Sequence, residues 1–467
     1  MFKKITTNAT INFGGKIIAT FLGLIAVALM TRYLGTAGFG KYTTIIAFLQ
    51  FFGILADLGL TLITAQMLAK YPHDQDRVIS NLFTLRLFSA LVFLGLAPLA
   101  VLFMPYEPII KTGVLIAVIS FFFIALNQIL IGLYQKKLQM GKATIAEVSS
   151  RAFLVLAILI AVYYDTGLLG IVVATVSVAV INFLINYLFS LKIVKIRFAF
   201  DRQIFKEILK LSWPLAITIT FNLIYLKADI LIMSLMRSQS EVGLYGAAYR
   251  VIDVLVILPF VLAGIILPQL TKSWFDNNRE QFKKLIQYSF DIMVILALPL
   301  VIGAQFAAKP LMVLVAGREF TMSGTILKIL IFACGIIYLG TVFSHVIIAI
   351  EKQKQTIWVY VFAAATALIG YLIFIPRYSY FGAAGVTIYS EVLVAVLVFA
   401  VYYKHTHFLP NCRNFLRALF ASIIMSVFLY FAQNLNIIIT LIFAIAIYVA
   451  VLFPLAKKDI KNIYAKS

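Results

Sequence analysis

Gly113-Val114-Leu115-Ile116-Ala117-Val118-Ile119-Ser120-Phe121-Phe122-Phe123-Ile124-Ala125-Leu126-Asn127-Gln128-Ile129-Leu130 decides the fold class. The stretch carries no charge and is apolar on every face. A strand of a soluble sheet would alternate, and a helix on a soluble surface would keep a polar stripe. As a helix at about 1.5 Å per residue it covers roughly 27 Å, close to the ~30 Å hydrocarbon core of a bilayer. Water is absent there, so backbone groups must pair within helices or around a closed barrel. A barrel would show segments of about ten residues with alternating polarity. The length and uniformity of this run predict a membrane-spanning helix.

Similar runs recur along the whole chain. About fourteen reach spanning length, centred near Gly23, Phe52, Phe93, Phe122, Leu156, Val178, Ile224, Leu258, Leu298, Ile336, Leu368, Leu393, Met425 and Ala444. The fifth and sixth are joined only by Tyr164-Asp165-Thr166-Gly167, and the last two meet near Asn434-Leu435-Asn436. The composition agrees: 63% of the 467 residues are hydrophobic and 12% charged, with a mean hydropathy of +1.03. Soluble domains are about a quarter charged. The class is an all-α, polytopic membrane protein. Met1-Phe2-Lys3-Lys4 enters the first run directly, and no polar cleavage region follows, so the first helix is expected to remain uncleaved.

The net charge of +21 does not point to nucleic acid, because the basic residues sit in short loops rather than on a soluble face. With the N-terminus in the cytoplasm, the internal loops and tails hold about 25 Lys and Arg and the external loops about 7. Lys192, Lys195, Arg197, Arg202, Lys206 and Lys210 crowd the connection between helices six and seven. Both termini are expected in the cytoplasm of a bacterium whose inner membrane holds the chain. The external loops are too short to hold an acceptor and catalytic groups, there is no P-loop, and no acidic DxD pair lies outside the spans. The expectation is a transporter, not an enzyme, needing no cofactor and not driven directly by ATP. Cys334 and Cys412 offer neither a disulfide framework nor a metal site, and His405 and His407 give only two ligands.

Two halves echo each other. Gly170 and Thr175 open helix six, and Gly382 and Thr387 repeat that spacing 212 residues later. Gly40-Lys41-Tyr42 and Gly243-Leu244-Tyr245 lie 203 apart. The expected organisation is an N-terminal lobe of helices one to six (1–200), a C-terminal lobe of helices seven to twelve (201–405), and helices thirteen and fourteen with a tail (406–467). Six being even, the lobes are parallel repeats.

Several segments carry a family resemblance. They are Arg32-Tyr33-Leu34-Gly35-Thr36-Ala37-Gly38-Phe39-Gly40-Lys41-Tyr42 followed by Asp57-Leu58-Gly59-Leu60, then Leu211-Ser212-Trp213-Pro214, Lys227-Ala228-Asp229 and Val242-Gly243-Leu244-Tyr245-Gly246-Ala247-Ala248-Tyr249-Arg250. A third set is Ile375-Pro376-Arg377-Tyr378, Phe381-Gly382-Ala383-Ala384-Gly385 and Ser390-Glu391. Together they resemble the polysaccharide and O-antigen flippases of the multidrug/oligosaccharidyl-lipid/polysaccharide exporter superfamily. The resemblance implies translocation of undecaprenyl-diphosphate-linked oligosaccharide, such as an O-antigen or capsule repeat unit, from the cytoplasmic to the outer leaflet by alternating access. It also implies membrane lipids, a coupling ion (H⁺ or Na⁺) and other polysaccharide-assembly proteins as partners. A multidrug exporter or a peptidoglycan-precursor flippase of the same superfamily is the alternative, and a membrane glycan polymerase stands behind both.

Physical roles accompany these motifs. Gly35, Gly38 and Gly40 are expected to form a tight external turn, Pro214 to open helix seven and Pro376 to end helix eleven. Gly382, Ala383 and Ala384 offer a small-residue face for close helix packing.

Charges within the runs are the candidate functional residues, because lipid tolerates them only when paired or facing a cavity. The cations are Lys16, Arg86, Arg151, Lys227, Arg250, Lys328 and Arg417; the acids are Asp57, Asp229, Asp253, Asp291 and Glu391. Asp57 and Arg86 fall at matching depth, roughly 8–9 Å from the inner edge. Asp229 and Arg250 match near the outer edge, and Arg250 and Asp253 share a helix face. Each pair has two readings, a structural ion pair or a substrate-binding cation beside an acid. Lys16, Arg151 and Arg417 lie close enough to the cytoplasmic edge to snorkel. The substrate-binding set is Lys227, Arg250, Arg86, Lys328 and Lys16, with Lys227 the foremost single candidate. Asp57, Asp229, Asp253 and Glu391 serve ion coupling or structural pairing. Seven cations against five acids suit an anionic diphosphate better than a cationic drug.

Overall fold

A computed structural model describes residues 2–433 and 435–464. It is a succession of α-helices with no strand among those residues. The chain divides into two compact units, Met1–Gly243 and Leu244–Ser467.

The first unit opens with α1 (Phe2–Asp57) and α2 (Leu60–Lys70). It continues with α3 (Gln75–Leu102), α4 (Pro108–Lys137), α5 (Met140–Tyr163), α6 (Gly167–Leu191) and α7 (Arg202–Met236). At 56 residues α1 is about twice the length of one crossing. It breaks at Gly35, whose φ of 64° and ψ of −175° only glycine adopts without strain. Tyr33 braces the break: its hydroxyl donates to Asp165 Oδ1 at 2.8 Å and accepts from the Gly167 amide at 2.8 Å.

The turn is narrower than the glycine pattern suggests. Gly38 and Gly40 are helical, and Gly40 serves a different need. A Cβ there would sit 1.6 Å from the Gln239 carbonyl oxygen, and one on Gly243 would sit 2.0 Å from the Thr36 carbonyl oxygen. Two glycines thus let the backbones cross at van der Waals distance. Thr36–Ser240 (2.7 Å) and Thr44–Gln239 (2.8 Å) hydrogen bonds flank the crossing.

Pro214 also differs from expectation. α7 starts at Arg202, so Pro214 lies inside the helix rather than at its head. Asp201 wins the N-cap because its carboxylate accepts from the Gln203 and Ile204 amides. The core of this unit joins Leu60, Ile63 and Met67 of α2 to Val78 and Leu82 of α3, Ile129 and Leu133 of α4, and Ile204 and Ile208 of α7.

The second unit takes most of α8 (Gln239–Phe275), then α9 (Arg279–Ala316), α10 (Thr321–Ala349), α11 (Ile357–Thr406), α12 (Arg413–Phe431) and α13 (Ile437–Tyr464). α11, with 50 residues, repeats the device of α1: it breaks at Ser379 (φ 52°, ψ −133°), three residues after Pro376. The two arms then fold against each other. A Cβ on Gly382 would meet the Phe374 carbonyl oxygen at 2.3 Å, and Ala383 and Ala384 are fully buried. α12 and α13 pack on α9 through Val294, Ala418, Met425, Leu429, Ala444 and Tyr448, and the Tyr448 hydroxyl donates to the Ile295 carbonyl at 2.7 Å. Asn434, between the last two helices, lies outside the described residues.

Among the described residues, eleven helices are long and apolar enough to cross a membrane. Counting the two broken helices as two crossings each, and adding α7 with its 35 residues, gives the fourteen that the apolar runs indicate.

Candidate functional site

The expected meeting of Asp57 and Arg86 is present, and it is more than an ion pair. Backbone helicity stops at Asp57: Leu58 and Gly59 turn left-handed (φ 48° and 75°) before α2 resumes. A helix end inside lipid leaves carbonyls without partners, which costs several kcal/mol each unless they are satisfied. Arg86, 2% exposed, reaches the break from α3. Its Nη1 donates to the Ala56 carbonyl at 3.1 Å and lies 2.7 Å from Asp57 Oδ1. Its Nε donates to the Ala125 carbonyl of α4 at 2.9 Å. Ser89 gives a second bond to Ala56 O at 2.8 Å, and the Thr61 hydroxyl donates to Asp57. One guanidinium therefore neutralises an acid, caps a broken helix and ties three elements together, a task suited to its planar fork of donors.

The remaining candidates differ in surroundings. In the first unit Lys16 is exposed, Lys227 is half-buried and Asp229 is fully buried, its Oδ1 accepting from the Ile230 amide at 2.8 Å. In the second unit Arg250, Asp253 and Lys328 are half-buried, and the Lys328 carbonyl accepts from Gln305 Nε2 at 3.0 Å. Asp229 and Arg250, matched by depth in the sequence, belong to different units.

Glu391 stands apart. It sits on the second arm of α11 at 5% exposure, and its Oε1 has no hydrogen-bond partner. The ionisable groups that feel it electrostatically are the Cys334 thiol of α10 and the Tyr360 phenol of the first arm. Among the described residues no Lys, Arg or His pairs with it. One turn earlier, Thr387 lies 3.2 Å from the Tyr371 hydroxyl and 3.4 Å from that of Tyr245. The enclosure is polar in patches, yet supplies no counter-charge.

Three arrangements escape the sequence reading: the helix break behind Asp57, the glycine crossing, and the path of the linker between α6 and α7. The first had a signal in Asp57-Leu58-Gly59, where an acid precedes a glycine amid an apolar run. The second had one in the two Gly-x-Tyr segments, which are neighbours in space as well as in pattern. No group of three or more metal-ligating side chains occurs among the described residues.

Comparison with known proteins adds an independent view. Residues 5–274 match a family described as "Polysaccharide biosynthesis protein". A putative O-antigen transporter of Shigella flexneri is 23% identical over 396 residues, covering 81% of this chain and 93% of that one. The capsular polysaccharide biosynthesis protein CapF of Staphylococcus aureus is 26% identical over 200 residues, 43% of this chain and half of that one. Among solved structures, the lipid II flippase MurJ in an inward closed conformation superposes with a TM-score of 0.80 at 17% identity, covering 96% of this chain and 99% of that one. An inward-facing multidrug resistance MATE transporter superposes at 0.69 and 16%, covering 85% and 98%. These likenesses establish a common fold.

Proposed function

The chain belongs to the polysaccharide biosynthesis protein family, and we propose that it is a flippase carrying an undecaprenyl-diphosphate-linked oligosaccharide from the cytoplasmic to the outer leaflet. The observation that carries the proposal is the match along 81% of the chain to a protein named "Putative O-antigen transporter". A further relative, from Haloferax volcanii and 29% identical over 102 residues, is named a probable low-salt glycan biosynthesis flippase. Both names describe transport rather than catalysis.

Residue roles follow from surroundings. Cations within the spans, Lys227 foremost, hold the diphosphate through charge-assisted hydrogen bonds, the strong kind in a dry site. Arg86 bonds to Asp57, Ala56 and Ala125 through Nε and Nη1, and serves to position the broken helix. Glu391 is the coupling carboxylate, because it can gain and lose a proton without dismantling an ion pair. Two parallel six-helix repeats, divided at 200/201 and with both termini cytoplasmic, alternate access between the leaflets.

The test is a leaflet assay in proteoliposomes. The expected result is movement of undecaprenyl-diphosphate glycan, lowered by Lys227→Ala and partly restored by Lys227→Arg. Movement of lipid II or a cationic dye, with the glycan lipid left in place, overturns the proposal.

A further inference from the structure

Residues 192–201 join α6 to α7 without regular structure, and their backbone is read by α3 in an unusual way. Alternate amides donate to side chains of that helix. The Lys195 amide reaches Asp76 Oδ1 at 3.1 Å, that of Arg197 reaches Ser80 Oγ at 3.0 Å, and that of Ala199 reaches Thr84 Oγ1 at 3.1 Å. Asp201 then turns back to Asn81 Oδ1 at 2.7 Å. Two residues of extended chain advance about 6.7 Å and four residues of helix about 6 Å. The linker therefore runs alongside α3 for two helical turns and returns, dipping towards the bilayer and out again. Amides in that zone need partners that water cannot supply, and the polar ladder of α3 provides them.

The tip of the dip is apolar and largely exposed. Phe198 is 69% and Phe200 70% exposed. Phe198 meets Phe88 of α3 edge to face at 5.6 Å. Phe88 lies about 9 Å along the helix from Leu82, where the apolar run of α3 begins, so Phe198 reaches hydrocarbon depth. The rim is basic. Lys192, Lys195, Arg197, Arg202, Lys206 and Lys210 are all exposed, and none makes an ion pair among the described residues. The two carboxylates of the segment, Asp201 and Glu207, are already held by Arg77 and Lys70.

We infer that this re-entrant linker is a docking surface for the anionic headgroups of bilayer lipids, with Phe198 and Phe200 seated among acyl chains and Lys195 and Arg197 on the phosphates. Aromatic tips at the interface and cations one layer above match the two chemical zones of a leaflet. Uncompensated positive charge selects phosphatidylglycerol over phosphatidylcholine. Each basic residue near an anionic surface is worth about fivefold in binding.

The full chain is titrated with each lipid by native mass spectrometry. Lys195→Gln/Arg197→Gln is expected to weaken phosphatidylglycerol binding by about 25-fold and to leave phosphatidylcholine unchanged. Lys136→Gln/Lys137→Gln, at the end of α4, is the control; an equal loss there reduces the effect to general surface charge and overturns the inference. Undecaprenyl diphosphate displacing phosphatidylglycerol from the wild type, and binding the wild type better than the variant, assigns the surface to the carrier lipid and also overturns it. Depth is read separately from a fluorophore at Phe198→Cys or Phe200→Cys in a Cys412→Ser background. Quenching by nitroxide lipids with protection from aqueous iodide is expected, and the reverse pattern overturns the proposal.

Discussion

Asp57 and Glu391 are both acids enclosed by helices, one in each unit, and they are served in opposite ways. Around Asp57 the partners converge: Arg86 at 2.7 Å, the Thr61 hydroxyl, and a broken helix whose carbonyl shares the same guanidinium. Around Glu391 there is burial without a partner for Oε1. Apolar surroundings penalise charge in both places. In the first, the penalty is met by a network that works only if all members are present. In the second it is left standing, and the proposed coupling role of Glu391 rests on that isolation. The lesson is that counting charges inside spans does not separate architecture from function; counting the partners of each charge does.

The comparison breaks most visibly at Arg86. Arg86→Ala strands Asp57 and the Ala56 carbonyl together, and is expected to cost about 3–5 kcal/mol, seen as loss of the monodisperse peak in fluorescence-detected size exclusion. Exchanging the two residues, Asp57→Arg with Arg86→Asp, should recover part of the protein by restoring the pair but not the cap. Normal accumulation of Arg86→Ala with transport lost would move Arg86 to the substrate. Gly40→Ala calibrates this loss against a purely steric insult in the same unit. Its Cβ meets the Gln239 carbonyl, and a melting curve should register about 1–3 kcal/mol of destabilisation. Glu391→Gln should fold as well as the wild type, within about 1 kcal/mol, while transport ceases to respond to an imposed ion gradient. Unfolding of that variant would make the two acids alike.

The smallest effect is at the surface. The hydrogen bond from Arg77, helped by the amides of α7's first turn, holds Asp201 below the ordinary carboxylate range, and those from Lys70 and Tyr71 do the same for Glu207. A depressed carboxylate contributes stability above its unfolded value near 4 and loses it as pH falls through the folded value. Melting temperature should therefore decline only slightly between pH 5 and pH 3, and less in Arg77→Ala. A steep decline would place the strong acid–base coupling at the linker instead.

Much of this was legible beforehand. Fourteen crossings follow from run length, because lipid imposes one rule on every segment. The Asp57–Arg86 contact follows from depth, since two charges at one level in hydrocarbon have few alternatives. The turn at Gly35 was legible, but its width was not: Gly38 and Gly40 carry the same letter, and only the neighbouring backbone of Gln239 shows that Gly40 is there to be small. Pro214 misled because a proline at a helix head and one inside a membrane helix look alike, and the deciding group is Asp201, thirteen residues earlier. The isolation of Glu391 is a statement about what surrounds it, which no local pattern encodes.

The ladder on α3 has a consequence for synthesis. Asp76, Ser80, Asn81 and Thr84 are made first, and the backbone they receive follows 115 to 120 residues later. At about 5–20 residues per second, α3 leaves the ribosome roughly 6–24 s before its partner exists. During that interval four polar side chains stand at the membrane edge with nothing but water, lipid headgroups or the insertion machinery to satisfy them. The nascent first unit therefore stays open at the Asp76 end of α3 until α6 has been laid down, and the linker then closes that end.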